Sequence, residues 1–363
     1  MNIVKLKLKN FKCFPECSID FNNLTVLLGA NATGKSSILQ SILFYLNAVT
    51  KADHEGKALV SLYQDFGYDL GIIENLIYRN AKDNQIAISV GNDEVLINLK
   101  DNVKLSDTVA VSAKSQDISF SYLCAERIGP RNTVEYHNAS NCGIHGEYTA
   151  YIIDKENYNT IDKEKFLDSE LEGNFSTQLD NWVQYLFPNM KVQVDCQFNK
   201  IAQLKVKAGM NSILSTNIGF GLSYSLPILV EGLRLKKDSW FIVENPEAHL
   251  QPKAQTQMGY FLAKIAAAGI RVVVETHSEH VLKGMAAVTE LKESGFNDSN
   301  VSVYFTEQNE GVSCIKNVAL QRDRMIEHKF PKDFFDYGDE DIKRDAPNAR
   351  RLAQIGNIVQ KYG

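Results

Sequence analysis

The chain has no apolar run of the ~18 residues that a membrane-spanning helix needs, which predicts no membrane partner. Its N-terminus, MNIVKLKLKNF, carries lysines with no apolar segment behind them, so it does not read as a secretory signal. The six cysteines (Cys13, Cys17, Cys124, Cys142, Cys196 and Cys314) are scattered and form no C-x-x-C pair. That excludes a zinc ribbon or a dense disulfide framework and predicts free, buried thiols in a reducing compartment. Internal repeats, low-complexity tracts and long heptad runs are missing too, which excludes a solenoid or a coiled-coil arm. A net charge of -5 over 363 residues gives no support to a wholly basic surface, although a local basic face can hide in that average. These absences predict a soluble, cytoplasmic protein.

The composition, 44% hydrophobic and 23% charged, is that of a globular chain with ample core. Residues 3–8 alternate as a strand with one solvated face, and Asn10 to Pro15 break the pattern. Leu24 to Leu28 is almost wholly apolar and ends at a glycine, which suits a strand covered on both faces. Ser36 to Val49 repeats apolar residues at helical spacing. Between residues 50 and 120, short strand-like pieces such as Gln85–Val90 and Glu94–Leu99 predict an antiparallel β-subdomain. Ser176 to Phe187 reads as an amphipathic helix, and Lys191 to Lys207 as strands. Leu222 to Leu235 is helical, with Pro227 either in the first turn or at a kink. Trp240–Val243 and Ile270–Val274 are buried strands separated by a helix at Lys253–Ala268, and Glu279–Thr289 is helical again. Apolar strands alternating with helices predict an α/β fold with a mostly parallel, doubly wound sheet. The division expected is one head over residues 1–335, with a β/helical insertion at about 50–210, then a charged tail at 336–363 with a helix at Ala349–Tyr362.

Residues 29–36, GANATGKS, fit the phosphate-loop pattern G-x-x-x-x-G-K-[ST] without a mismatch. Gly29 and Gly34 let the backbone of Ala30, Asn31, Ala32 and Thr33 curl so that successive N–H groups face phosphate oxygens. The helix that follows, with Ser37 in its first turn, aims its positive end at the same anion. Lys35 can span the β- and γ-phosphates, and the Ser36 hydroxyl can bind Mg²⁺. The cofactors expected are therefore ATP and Mg²⁺. A second carboxylate source is Glu244, which ends the buried strand Trp240–Val243 and can hold the metal shell. Further on, Glu275, Thr276, His277 and Ser278 close another buried strand, where His277 can contact the γ-phosphate.

With these residues in place, the chain resembles ABC-type ATPases of the SMC/RecF/OLD group, in a branch without a long coiled coil. The resemblance is carried by KLKNFKCF, GANATGKSS, YLCAERIGPRN, GEYTAY, NIGFGLSYSLPIL, FIVENPEAHLQP, VVVETHSEHVL and FPKDFF. It implies an ABC ATPase head with a RecA-like core, an antiparallel β-subdomain and a helical subdomain. It also implies a signature segment, Gly219, Gly221 and Ser223, facing the nucleotide of a second subunit in a homodimer or higher oligomer. His277 would be the switch histidine, and Gln64 the Q-loop residue and a metal ligand. Arg127 and Arg131 are left open between nucleotide, partner and structural salt bridges.

The chain departs from the family pattern after Glu244, where Asn245 stands in place of an acid. A carboxamide can hold water but cannot take its proton, so either Glu247 substitutes as catalytic carboxylate or hydrolysis is slow. The chain after His277 is short for a second α/β domain, and the acidic clusters of a fused TOPRIM nuclease are not evident; DEDIKRD at 339–345 reads as a solvated charge run. Related ATPases in anti-phage systems such as Septu and PARIS partner a nuclease or toxin. The expectation is an ATP-dependent dimeric switch for a separate effector in bacterial defence. The rivals are a RecF-like DNA-binding repair protein, which keeps nucleic acid open as a partner, and a slowly hydrolysing ATP-binding scaffold.

Overall fold

The phosphate-loop helix is apolar around most of its circumference, and the structure buries it on every side, Gln40, Ser41 and Asn47 included. In the computed structural model, which describes residues 3–63, 70–101, 108–168, 173–197, 201–208, 211–214, 216, 219–291, 295–309 and 312–318, every residue from Ile38 to Val49 of that helix is buried. A helix without a polar face belongs inside a core.

The chain opens with β1 (Val4–Phe11), β2 (Phe14–Phe21), β3 (Leu24–Gly29) and the phosphate-loop helix α1 (Lys35–Lys51). There follow β4 (Lys57–Ser61), β5 (Gln85–Val90), β6 (Asp93–Asn98), β7 (Thr108–Ser112), β8 (Phe120–Leu123) and β9 (Val134–Glu135). Next come α2 (Thr149–Glu156), α3 (Phe175–Leu186), β10 (Met190–Gln197), β11 (Ile201–Ala208), β12 (Asn211–Leu214) and α4 (Phe220–Arg234). The last described elements are β13 (Trp240–Glu244), α5 (Pro252–Ala267), β14 (Arg271–Glu275), α6 (Glu279–Leu291), β15 (Val301–Asn309) and β16 (Val312–Val318).

The strands form three sheets. One is antiparallel, in the order β2-β1-β5-β6-β7-β4. The central sheet runs β16-β15-β3-β14-β13-β8 and is parallel except where β16 returns against β15. A small third sheet holds β9 to β12. α1 lies between the first two: a single buried core joins Ile38, Ile42 and Leu46 to Leu6, Ile88 and Val95 on one side and to Leu27, Val273, Ile242 and Tyr122 on the other. The helices α4 and α5 contact the central sheet as well.

The expected α/β head with a mostly parallel core sheet is the one observed. Several local expectations change. The break at Asn10 to Pro15 is a tight hairpin: β1 runs on through Phe11 and β2 starts at Phe14, with Asn10 and Lys12 at positive φ (54° and 50°). The antiparallel sheet is built from this N-terminal hairpin together with residues 57–112. Pro227 lies in the interior of α4, past its first turn, where its missing N–H leaves the Ser223 carbonyl without an intrahelical bond. Buried thiols are found at Cys124 and Cys142, but Cys196 and Cys314 are exposed. No helix among the described residues is long and apolar enough to cross a membrane. The described residues belong to a unit spanning residues 1–322. The expected tail at 336–363, its helix and the DEDIKRD run lie outside them.

The pair α5 and α6 supports the strands that carry the site, and its spacing depends on glycine. A Cβ at Gly259 would meet the carbonyl of Val281, and one at Gly284 that of Thr256. Close-packed interiors cannot yield to such intrusions without moving backbone. Gly259→Ala should lower the unfolding free energy by about 1–3 kcal/mol, measured by urea denaturation; an unchanged midpoint would show that the helices can separate freely.

Candidate nucleotide-binding site

The loop from Gly29 to Ser36 rises from two buried anchors. Ala30, Asn31 and Ala32 are exposed, whereas Gly29, Thr33 and Lys35 are buried. Positive φ at Gly29 (143°), Ala32 (61°) and Gly34 (106°) turns the backbone N–H groups inward. A Cβ at Gly34 would crowd Phe14 Cζ at 2.9 Å and Ser313 Oγ at 2.8 Å, so space and dihedral both demand glycine there. Thr33 Oγ1 donates to Ala30 O (2.8 Å) and lies 2.6 Å from Thr306 Oγ1 of β15, while Thr306 bonds Leu28 O (3.1 Å). α1 begins after Gly34 with no side-chain cap and no acid in its first turn, which leaves its first N–H groups for an anion. The Lys35 ammonium donates to the carbonyls of Gly29 (3.0 Å) and Ala30 (2.8 Å). Ser36 is exposed, while Ser37 accepts a weak bond from Cys13 Sγ (3.5 Å).

Two acids converge on this loop because of strand register. β14 pairs in parallel with β3 so that Glu275 stands beside Leu27, and β13 pairs with β14 so that Glu244 stands beside Glu275. Ile242 and Val273 pack into the α1 core, and residues two further along a strand share their face. Glu244 and Glu275 therefore point to the side on which α1 begins. Glu275 Oε2 lies 3.5 Å from Ser36 Oγ, and Oε1 lies 3.7 Å from Lys35 Nζ. Glu244 accepts from the Tyr122 hydroxyl (2.9 Å) and from the Ala125 N–H (3.2 Å).

The turn after β13 links these acids to the histidine. Asn245 has φ 42°, and its N–H donates to the Glu275 carbonyl (2.8 Å). Glu247 accepts from Thr276 Oγ1 (2.7 Å) and from the His277 N–H (2.8 Å), so its carboxylate grips the corner from which His277 projects. His277 itself is exposed. Arg127 is buried and bonds backbone: NH1 donates to the carbonyls of Cys124 (2.8 Å) and Glu244 (2.7 Å), and NH2 to that of Asn245 (2.7 Å). Its guanidinium also lies 5.3 Å from the centre of the Tyr224 ring on α4. Arg127 therefore ties the turn at 244–245 to the helix that carries the expected signature segment.

Gly219, at the N-cap of α4, and Gly221 line a cleft of about 340 Å³ with Phe187, Met190, His249 and Leu250. Ser223 lines a second, small cavity with the exposed Arg131. Neither cavity includes the phosphate loop. Gln64 lies outside the described residues. Glu275, Tyr122 and Thr306 had no assigned role from sequence. Glu275 had a usable signal, its position at the tip of a strand directly before Thr276–His277; Thr306 and Tyr122 had none.

Burial dominates the charges. Desolvation pushes the Glu275 carboxyl up to about 7, Glu244 adds to the rise, and Lys35 opposes it. Burial also lowers the Lys35 ammonium against the pull of Glu275, so both partners of this 3.7 Å pair shift toward neutrality. Glu244 is raised by desolvation, with the Tyr122 and Ala125 bonds opposing. His277 is lowered, by partial burial first and by Lys35 second, which favours the neutral ring.

This donor set suits Mg²⁺, a hard cation that takes oxygen ligands and leaves several places to phosphate and water. Two oxygens bound side by side on one Mg²⁺ are about 3 Å apart, close to the separation of Ser36 and Glu275. Among the described residues no three His, Cys, Asp or Glu side chains form an all-protein metal cage.

A glycine loop that ends a parallel strand, caps a buried helix and faces acid-tipped neighbouring strands defines a P-loop ATPase head. The chain belongs to the AAA ATPase domain family (AAA_15), which matches residues 1–124 and 152–282. It is similar to the DNA replication and repair protein RecF of Lactococcus lactis, 25% identical over 232 residues that make up 57% of each chain. RecF of Oenococcus oeni is 27% identical over 110 residues, 30% of this chain and 29% of that one. The chain thus spans about half the length of the curated relatives it matches, or less. An Smc head bound to the C-winged helix domain of ScpA superposes with a TM-score of 0.55 at 13% identity, over 89% of this chain and 99% of that one. An Smc head domain with an extended coiled coil, bound to the C-terminal domain of ScpA and derived from Pyrococcus furiosus, gives 0.55 at 12% identity over 88% and 96%. The SMC/RecF-like ABC-type ATPase fold expected from the motifs is the fold observed.

The raised Glu275 carboxyl has a measurable consequence. Its folded pKa of about 7 lies above the ordinary 4.5, so its contribution to stability is present below pH 4.5 and lost as pH rises through 7. In EDTA and without nucleotide, wild type should lose on the order of 3 kcal/mol relative to Glu275→Gln between those limits. A flat difference in urea-unfolding free energy across the window would contradict this.

Proposed function

We propose that the chain binds and hydrolyses Mg²⁺-ATP at Gly29–Ser37, as a dimeric switch whose composite sites are completed by the Gly219, Gly221 and Ser223 segment of the facing subunit. The observation that carries the reading is the convergence of Lys35, Ser36, Glu244 and Glu275 at adjacent strand ends. In this reading the loop N–H groups and the α1 terminus hold the phosphates, and Lys35 leaves the Gly29 and Ala30 carbonyls to neutralise the β- and γ-oxygens. Ser36 and one of the two strand-end acids, Glu244 or Glu275, would hold Mg²⁺, which would supply charge neutralisation at those oxygens. Neutral His277 reaches the γ-phosphate from a corner braced by Glu247. Asn245 can orient a water but cannot take its proton, which favours slow turnover.

Lys35→Ala should reduce steady-state phosphate release to background, and phosphate release that continues in this variant would remove the reading. Glu247→Gln separates two roles. If Glu247 is the base, turnover disappears; if it braces the corner, the carboxamide keeps one of the two bonds and part of the turnover survives.

The partner of this switch is proposed to be a separate effector, a nuclease or toxin, in bacterial anti-phage defence; the support is the resemblance carried by the motif set. A second reading, an ATP-dependent DNA-binding repair protein, is favoured by the likeness to RecF. Against it, two lysines on the outer face of β1 are already paired, Lys5 with Asp20 (3.6 Å) and Lys9 with Asp83 (2.7 Å). Co-expression with the protein of the neighbouring gene should give a complex and phage protection that Lys35→Ala abolishes. ATP-dependent duplex binding that weakens steeply with salt, with no such complex, would establish the second reading instead.

A further inference from the structure

We propose that Glu275, rather than Glu244, is the second protein ligand of the Mg²⁺ at the phosphate loop, beside Ser36. The inference rests on the phosphate loop binding nucleotide and deepens that reading.

Three observations carry it. β14 is the immediate neighbour of β3, whereas β13 is one strand further away, so the carboxylate at the tip of β14 is the nearer one. Glu275 alone of the two strand-end acids touches both functional side chains of the loop, Ser36 at 3.5 Å and Lys35 at 3.7 Å. Both oxygens of Glu244 are already engaged, by Tyr122 and Ala125, which directs that acid toward the 122–125 segment. Position 245 cannot compensate. Its backbone is fixed by the N–H bond to the Glu275 carbonyl and by Arg127 on the Glu244 and Asn245 carbonyls.

A plainer role would make Glu275 only a counter-ion for Lys35. The two roles differ in what a neutral isostere does. A counter-ion matters to the protein without metal; a metal ligand matters when metal is added.

The test uses the full-length protein, a fluorescent ATP analogue and Mn²⁺ as the probe ion. Nucleotide affinity is measured in EDTA, and Mn²⁺ affinity of the nucleotide complex by electron paramagnetic resonance. Glu275→Gln should weaken Mn²⁺ binding by about tenfold or more, whereas in EDTA its nucleotide affinity should not fall, since the change removes a negative charge beside Lys35. Glu275→Asp, which keeps the charge but withdraws it by one methylene, should fall between, and covers the case in which the glutamine variant does not fold. Wild-type Mn²⁺ affinity in both variants overturns the assignment. A wild-type protein that binds no nucleotide with or without metal would remove the phosphate-loop reading together with this one, a result distinct from the loss of metal affinity alone.

Discussion

The site depends on one constraint, the parallel register of β3, β14 and β13. Leu27, Glu275 and Glu244 lie in a row across three strands, and each strand places its residue on the α1 side because Val273 and Ile242 are already packed there. Side chains alternate with a period of two, so a slip of one residue would send an acid to the opposite face. The apolar packing around α1 prevents that slip. The core thus does more than stabilise: it aims two carboxylates at the start of the helix that opens the phosphate loop. β15 adds a brace from the other side, where Thr306 bonds both Leu28 and Thr33.

The same packing makes the site electrostatically unfavourable in isolation. Glu244, Glu275 and Lys35 are each withdrawn from water, and every one of them shifts toward its neutral form. Such groups destabilise the folded chain until a ligand of matching charge arrives. A cation satisfies the acids, and a triphosphate satisfies the lysine and the uncapped N–H groups of α1. A ligand that binds the folded chain here would recover that stability. Arg127 joins the site to a second element: its buried guanidinium spans the 244–245 turn and Tyr224 of α4, the helix capped by Gly219.

The sequence made the loop and its helix legible because their chemistry is local: a spaced glycine, lysine and serine pattern needs no tertiary partner to be recognised. Glu244 was legible for a similar reason, a carboxylate ending an apolar run. The orientation of Glu275 was not. β13 and β14 are buried on both faces, so their residues show no polar alternation from which a side could be read. β2 was missed because its hairpin turns through Asn10 and Lys12: asparagine enters positive φ readily, but the second such position is a lysine, which marks no turn in a sequence. Thr306 was invisible for a third reason. Its contact with Thr33 spans 273 residues of chain, and nothing near it in sequence marks it.

The identity of residue 245 follows from backbone geometry. At φ 42° the residue is in the left-handed region, which asparagine enters readily and glutamate does not. His249, in the same turn at φ 61°, belongs to another type tolerated there. A glutamate at 245 would carry strain of about 1 kcal/mol or more before it made any contact. The turn is needed in this shape, since it brings the Asn245 N–H to the Glu275 carbonyl and leaves the Glu244 and Asn245 carbonyls facing Arg127. Glu275, by contrast, ends β14, where an extended backbone carries an acid without strain, one strand closer to the phosphate loop than Glu244.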